Sequence, residues 1–505
     1  MSLNYNFIWL LCYLLVLVGL AGYGFHRLSI VYLYWKNRNN KPQPKARFQE
    51  LPVVTVQLPM FNEKFVVDRL LESVAALDYP QDKLEIQILD DSTDDTTEQC
   101  YRKVEELKSR GFDAICIHRT DRTGFKAGAL EAATKVAKGE FLLILDADFV
   151  PEPDLLQKTI HFFTDENVGL VQTRWGHINR EYNLLTRIQG MYLDGHFAME
   201  QTARNRSGRF FTFNGTAGIW RKCVIGDAGG WSHDTLTEDM DLSYRVQLKG
   251  WRFIYLNDVV TPAELPVDMD GFKSQQHRWT KGSIQVCQKI LLDIWRSNAP
   301  LKAKVEATTH LTCNYSYLLL ALLCFLVYPI CTQRIPENET VFMWFVNVAL
   351  FFMTSVAVCI FYMSAQIVVR PKSWWKELPY LPLLLTLSVS MAVNNAKAVL
   401  EAIFGHQSAF VRTPKYGVDR KEDRRHVSQL KRNGYRAIKS VVIPVLEIAC
   451  GTFFLNLIII MIRQGHYLSP ILMIPFLGFY YSGFCSLGRM ISNLLPAKQT
   501  AKAKN

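Results

Sequence analysis

The feature that most limits this chain is the uneven placement of its long uncharged apolar runs. They occupy 7–25, 311–331, 341–369 and 378–396, then 441–462 (broken once by Glu447) and 467–488. Each is about 19 residues or longer, enough at ~1.5 Å per residue to cross a hydrocarbon layer ~30 Å thick. Between the first run and the second lie almost 290 residues of ordinary mixed sequence. The layout excludes a wholly soluble protein, a disordered chain and a disulfide scaffold. It predicts a multi-pass integral membrane protein with one large water-exposed domain.

The net charge of +11 is concentrated rather than spread. Residues 405–440 hold ten Lys/Arg against Asp419, Glu422 and Asp423, which is +7 of that total. A basic segment beside a membrane faces the cytosol and its anionic lipid. No zinc pattern or base-stacking aromatic series accompanies it, so no nucleic-acid partner is expected. Seven of the eleven cysteines fall inside apolar runs, and no C-x-x-C occurs; neither a zinc site nor a disulfide framework is indicated.

The first run has a basic C-terminal flank (Arg27, Lys36, Arg38, Lys41). It reads as a signal anchor that leaves the following residues in the cytosol. From residue 52 the pattern becomes strand, turn, helix: Val53–Leu58, Leu84–Leu89, Ala114–Ile117 and Phe141–Leu145 read as strands, and 64–77, 95–109 and 125–138 as helices. This alternation predicts a parallel α/β sheet covered by helices on both faces, with ligands beyond the carboxyl ends of its strands. The division expected is a membrane anchor over 1–35, a basic linker over 36–50 and an α/β domain over 51–270. Amphipathic interface helices follow over 271–310, then membrane helices over 311–404, a basic cytosolic loop over 405–440, a helix pair over 441–491 and a basic tail over 492–505. Three full crossings within 311–404 would export the basic loop, so 378–404, with Pro379 and Pro382 opening it, is read as re-entrant or interfacial. Ile284, Cys287, Leu291, Ile294 and Trp295 recur at helical spacing and suit either a membrane surface or packing on the sheet.

Three acidic clusters follow strands or turns: Asp90-Asp91, Asp146-Ala147-Asp148 and Glu238-Asp239. An i, i+2 carboxylate pair in a turn can aim oxygens at one hard cation, though such pairs also cap turns. A Glu-Asp pair at a helix N-terminus equally suits the helix dipole. Lys126 stands at a helix start flanked by Gly124 and Gly128, where N–H groups and an ammonium would both meet phosphate. Gln275-Gln276-His277-Arg278-Trp279 offers a guanidinium for phosphate and an indole face for a sugar ring, or simply a core aromatic. Glu447 is either a polar lining residue or a snorkelling one.

Together these motifs resemble the processive family 2 glycosyltransferases of the cellulose-synthase-like superfamily, with their D, D, D, Q-x-x-R-W signature. The spacings are 55 residues from Asp91 to Asp146, 91 from Asp148 to Asp239 and 36 from Asp239 to Gln275. Pro59-Met60-Phe61-Asn62-Glu63, Phe213-Asn214-Gly215-Thr216 and Phe410-Val411-Arg412-Thr413-Pro414-Lys415 add to the likeness. The wording is most similar to the plant-type A and C branches and bacterial relatives, which make mannan, glucomannan or β-glucan backbones.

The resemblance implies a GT-A-like (Rossmann-like) cytosolic domain joined to a helical transmembrane bundle. It implies an inverting, nucleotide-sugar-dependent hexosyltransferase that polymerises a β-linked polysaccharide, with UDP-glucose or GDP-mannose as donor. The alternative is a single transfer to a membrane lipid. Pro59, Glu63, Asp90 and Asp91 would belong to the nucleotide-binding side. Asp146 and Asp148 would hold the diphosphate through Mg²⁺ or Mn²⁺, with Lys126 and Arg278 neutralising phosphate. Asp239, beside Glu238, would be the general base. Phe213, Asn214, Gly215, Thr216, Gln275 and Trp279 would bind the acceptor, and Thr413 and Lys415 would lie in a loop that closes over the nucleotide.

Overall fold

The computed structural model describes residues 5–332, 349–350, 352–406, 413, 415–418, 441–464 and 470–494. The basic stretch 405–440 is therefore described at only a few positions, and Arg412 and Pro414 lie outside the described residues.

Seven strands form one sheet: β1 (Val54–Met60), β2 (Leu84–Asp90), β3 (Asp113–His118), β4 (Phe141–Ile144), β5 (Val168–His177), β6 (Gly218–Arg221) and β7 (Arg252–Ala263). Their order is β3-β2-β1-β4-β6-β5-β7. The first four are parallel, as the alternating pattern predicts. The expectation of a wholly parallel sheet fails beyond them. β6 runs antiparallel to both β4 and β5, and β7 pairs parallel to β5, giving a mixed sheet. β6 is four residues long and buried throughout, too short to carry a periodic signal.

The central strands are buried on both faces, which explains their β-branched runs. One core joins Val54, Val56, Leu58, Ile86 and Ile88 to Leu70, Leu71 and Val104 of the covering helices. The other joins Leu142 and Ile144 to Ala129, Leu130, Trp220 and Leu242. Polar side chains on these strands pair with one another, Thr55 Oγ1 donating to Glu85 Oε2 at 2.6 Å and Gln57 Nε2 to Gln87 Oε1 at 3.1 Å. Register then fixes where chemistry collects: Met60 lies opposite Asp90, and Gln57 opposite Ile144. Residues 61–63, Asp91 and Asp146–Asp148 therefore leave the sheet along the same edge.

Around the sheet domain lie helices Tyr5–Asn37, Met269–Arg296, Leu301–Thr312, Tyr315–Thr332, Ala357–Val369, Val442–Arg463 and Pro470–Leu494. Among the described residues, Ile8–Asn37, Trp374–Ile403 and Val442–Arg463 are long and apolar enough to cross a membrane, and Leu301–Thr312 with Tyr315–Tyr328 form a pair bent by 52°. The segment read as re-entrant is thus helical over 374–403 and meets the length of a crossing. It is also the most enclosed of the three, 61% buried against 17% for the first helix. One end meets the sheet domain, Arg187 pairing with Glu377, and the other meets helix Met269–Arg296, Lys281 and His277 pairing with Glu401. The amphipathic face around Ile284 packs inward, Cys287, Ile290 and Ile294 lying against Tyr244, Ala307 and Leu311. Leu291 packs beside them, whereas Trp295 is 44% exposed.

Candidate active site

A cleft of about 180 Å³ opens at the carboxyl edge of the parallel strands. Its walls bring together Pro59, Glu63, Asp91, Lys126, Asp146, Asp148, Asn214, Gly215, Glu238, Asp239, Gln275, Arg278, Trp279, Thr413 and Lys415. These come from eight segments spread over more than 350 residues of chain.

The carboxylates beyond β4 both meet cations. Lys126 Nζ donates to Asp146 Oδ1 at 2.5 Å and to the Gly215 carbonyl at 2.8 Å. Lys415 Nζ donates to Asp148 Oδ2 at 2.6 Å. Burial acts to lower the Lys126 pKa, but Asp146 and Glu238 outweigh it and the net shift is upward. Lys126 is set by the turn before helix Phe125–Val136, where Gly124 has φ +75°. A Cβ on Gly128 would lie 2.1 Å from the Thr123 carbonyl. Asp146 is held from behind, its N–H donating to Thr216 Oγ1 at 2.8 Å.

Asp239 lies in the first turn of helix Glu238–Leu248, its Oδ1 accepting the Met240 N–H at 2.8 Å. Burial, followed by repulsion from Glu238, raises its carboxyl pKa from 3.8 to about 7. A carboxylate poised there suits a general base. Gly215, at φ +80°, separates Asp239 from Lys126; a Cβ there would stand 3.1 Å from Asp239 Oδ2 and 3.6 Å from Lys126 Nζ.

Three residues expected at the site lie behind it. Asp90 is fully buried and accepts from Ser92 N–H, Thr97 Oγ1 and the His118 ring. Adjacent residues at a strand end point oppositely, so only Asp91 faces the cleft. Phe213 is 1% exposed and packs edge-on against Trp220. Thr216 is fully buried and supports Asp146.

Other residues in or behind the wall carry no motif. Arg119, just beyond β3, grips Asp91 bidentately at 2.8 and 2.6 Å. Arg122 lies over the Phe61 ring at 3.4 Å and near Phe125 at 5.2 Å. Trp175 faces the cleft, stacked on Phe197 at 4.6 Å. Glu264, one residue past β7, is the remaining buried acid of the wall. Only the position of Arg119 and Glu264 just past predicted or observed strands would have drawn attention to them.

Among the described residues no group of three or more His, Cys, Asp or Glu side chains is arranged around a single ion. Asp146 and Asp148 offer hard carboxylate oxygens two residues apart, a donor set that suits a divalent cation able to complete its shell with phosphate oxygens and water.

Two family models match overlapping parts of the chain. Residues 52–282 match the family described as "Glycosyltransferase like family 2", and residues 218–465 match "Cellulose synthase". The chain is 42% identical over 286 residues to "Glucomannan 4-beta-mannosyltransferase 2" of Arabidopsis thaliana, covering 54% of this chain and 53% of that one. It is 41% identical over 277 residues to "Glucomannan 4-beta-mannosyltransferase 1" of Oryza sativa subsp. japonica, with the same coverage. The chain thus spans about half the length of the curated relatives it matches. A mannosyltransferase from Pyrobaculum calidifontis, solved in complex with GDP-Man and Mn²⁺, superposes with a TM-score of 0.55 at 20% identity, over 78% of this chain and 100% of that one. That likeness establishes the GT-A-type fold of the sheet domain.

Proposed function

Residues 52–465 carry a family 2 glycosyltransferase domain running into a cellulose-synthase-type part, and on that premise we propose that the protein is a membrane-embedded, inverting hexosyltransferase that extends a β-linked glycan from a nucleotide sugar. The names of its relatives favour a mannosyl donor and a 4-hydroxyl acceptor, hence GDP-mannose and a mannan or glucomannan product. The observation that carries the reading is the meeting of Asp146, Asp148, Lys126, Arg278 and Asp239 in one cleft with Trp279.

Asp239 takes the proton of the acceptor hydroxyl as that oxygen attacks the anomeric carbon. Lys126 and Arg278 stabilise the negative charge that develops on the departing diphosphate. Asp146 and Asp148 would hold a divalent cation, Mg²⁺ or Mn²⁺, which when bound supplies further charge for that leaving group. Asp91, oriented by Arg119, faces the nucleoside side of the cleft together with Glu63. Trp279, Gln275 and the Asn214–Gly215 turn line the acceptor side, an indole face being suited to a sugar ring. A single displacement inverts the centre, so an α-linked donor yields a β-linkage.

The site residues, their assignment to cytosolic chemistry and the interfacial placement of 378–404 belong to this same proposal. The test supplies purified full-length protein in lipid with radiolabelled GDP-mannose or UDP-glucose and resolves product length and linkage. An alkali-stable β-1,4-linked polymer that vanishes in Asp239→Asn is expected. A lipid-soluble monoglycoside as the sole product would defeat polymerisation, and turnover unaffected in Asp239→Asn would defeat the assignment of the base.

A further inference from the structure

We propose that Glu264 is a positioning residue that seats Lys415 in the donor cleft, an inference that rests on the glycosyltransferase reading of that cleft. Glu264 directly follows β7 and is 4% exposed. Its carboxylate accepts three consecutive backbone N–H groups from a segment about 150 residues further along the chain. Oε1 accepts from Tyr416 at 3.0 Å, and Oε2 from Gly417 at 3.0 Å and Val418 at 3.2 Å. The Glu264 N–H in turn donates to Asp148 Oδ2 at 3.2 Å, the same oxygen that receives Lys415 Nζ at 2.6 Å. One buried carboxylate and one aspartate beyond β4 thus hold all four residues from Lys415 to Val418.

Successive N–H groups converging on one anion form a nest, and hydrogen bonds to an ionised acceptor are about twice as strong as neutral ones. Such a seat fixes the backbone from which a long, rotamer-rich lysine must reach the cleft. Packing reinforces it: Tyr416 is 2% exposed and Val418 fully buried, with Tyr182 and Val267 against them. Gly417 has φ +67°, and a Cβ there would stand 2.8 Å from the Phe65 carbonyl. The segment therefore passes close to the loop that follows β1, and Gly417 admits that passage. A cation near Glu264 is more distant than these N–H groups, Arg69 Nη2 standing 3.6 Å from Oε2. The carboxylate is directed to the backbone of 416–418, and through it to the place where Lys415 meets Asp148.

A residue acting through Lys415 makes a kinetic prediction that a merely structural acid does not. With the full-length protein in lipid and the nucleotide sugar it turns over, Glu264→Gln and Lys415→Ala are each expected to lower kcat/KM at least tenfold. The double variant is expected to fall no further than the weaker-performing single one. Gly417→Ala, which leaves Glu264 in place but crowds the Phe65 carbonyl, is expected to reproduce the loss and likewise to add nothing to Lys415→Ala. Unchanged kcat/KM in Glu264→Gln or Gly417→Ala overturns the proposal, as do losses that multiply in the double variants. Should Glu264→Gln fail to fold, the Gly417 and Lys415 pair decides alone. Absence of wild-type turnover overturns the glycosyltransferase reading itself, whereas wild-type turnover with unaffected variants overturns only the seating role.

Discussion

The carboxyl group of Asp239 is held in a condition that serves chemistry and opposes stability. Its pKa, raised from 3.8 to about 7 by burial and by Glu238, means that the folded state holds the proton more tightly than the unfolded chain. The cost of ionising it is absent below the unfolded value, grows between pH 4 and 7, and persists above. Asp239→Asn is therefore expected to melt at a higher temperature than wild type at pH 8 and at the same temperature at pH 3.5, as a thermal-shift titration would show. Its activity should fall about 10²–10⁴-fold, the usual contribution of a general base. In wild type, kcat/KM should rise with pH through a midpoint near 7, because the base acts ionised; a flat profile over pH 5–8 would contradict that role. Gly215 sets the spacing beside it. Gly215→Ala strains a φ of +80° and crowds Asp239 Oδ2, and misplacement of about 1 Å near a reacting atom costs roughly 10²-fold in rate. The matching measurement is kcat in a variant whose melting temperature shows it folded. Some of this was legible before any coordinates: Asp91, Asp146, Asp148 and Asp239 announce themselves by following strands or opening a helix. The choice between Asp90 and Asp91 was not, because strand periodicity fixes that neighbours oppose each other and not which of them faces the ligand.

Helix Met269–Arg296 shows how one element serves two environments. Gln275, Arg278, Trp279 and Gly282 recur at helical spacing; the first three line the cleft, while a Cβ on Gly282 would approach Thr237 to 2.5 Å. Lys273, His277 and Lys281 recur four residues apart on another face and pair with Glu447 and Glu401 of the apolar helices. Such i, i+4 spacing places each set in its own stripe. The sequence displayed the amphipathic character and the Gln275–Trp279 motif, but Glu447 remained ambiguous between lining and snorkelling. The structure gives it Lys273 Nζ at 2.6 Å, with Ser486 Oγ accepting from the same ammonium at 2.9 Å. Both charged side chains are at most 1% exposed. Nothing local in sequence could join positions 174 residues apart. Removing one partner strands a buried charge, at a cost of about 3–5 kcal/mol, whereas replacing both with apolar groups is often nearly neutral. Glu447→Ala should thus unfold at markedly lower temperature in detergent than Lys273→Met/Glu447→Leu, and equal destabilisation of the two would count against a specific pair. The mixed sheet was illegible for a related reason: β6 acquires its antiparallel place only from β4 and β5, which lie before it in the chain.

On the scale of the whole molecule, one contact constrains how the chain threads the bilayer. Lys415 sits on Asp148, so the described part of the basic stretch lies with the sheet domain, and the proposed membrane topology requires an even number of crossings between them. Helix Leu301–Thr312 begins that interval on the domain's side, Lys302 donating to the Ser207 carbonyl. At its far end, 374–403 is tied to the domain at Glu377 and to helix Met269–Arg296 at Glu401. Its Leu384, Leu387 and Met391 join Leu185, Ile188 and Met191 of the domain, while Ala392 meets Phe454 and Phe479 of the C-terminal helices. These contacts support the proposed interfacial placement of the segment, which would reconcile its apolar length with the parity of the chain. The first helix agrees: Arg27 pairs with Glu200 and His26 with Glu306, and Ile30 and Tyr34 pack beside Leu185. Its basic C-terminal half is thereby placed against the domain. Cys223 is exposed on the sheet domain, whereas Cys12 and Cys485 lie on apolar helices. In sealed vesicles, a membrane-impermeant maleimide should label Cys223 only when the cytosolic face is outward, and Cys223→Ser should remove that labelling. Labelling of Cys223 from the opposite face would place the cleft away from the cytosolic pool of nucleotide sugar and break the link between this topology and the proposed reaction.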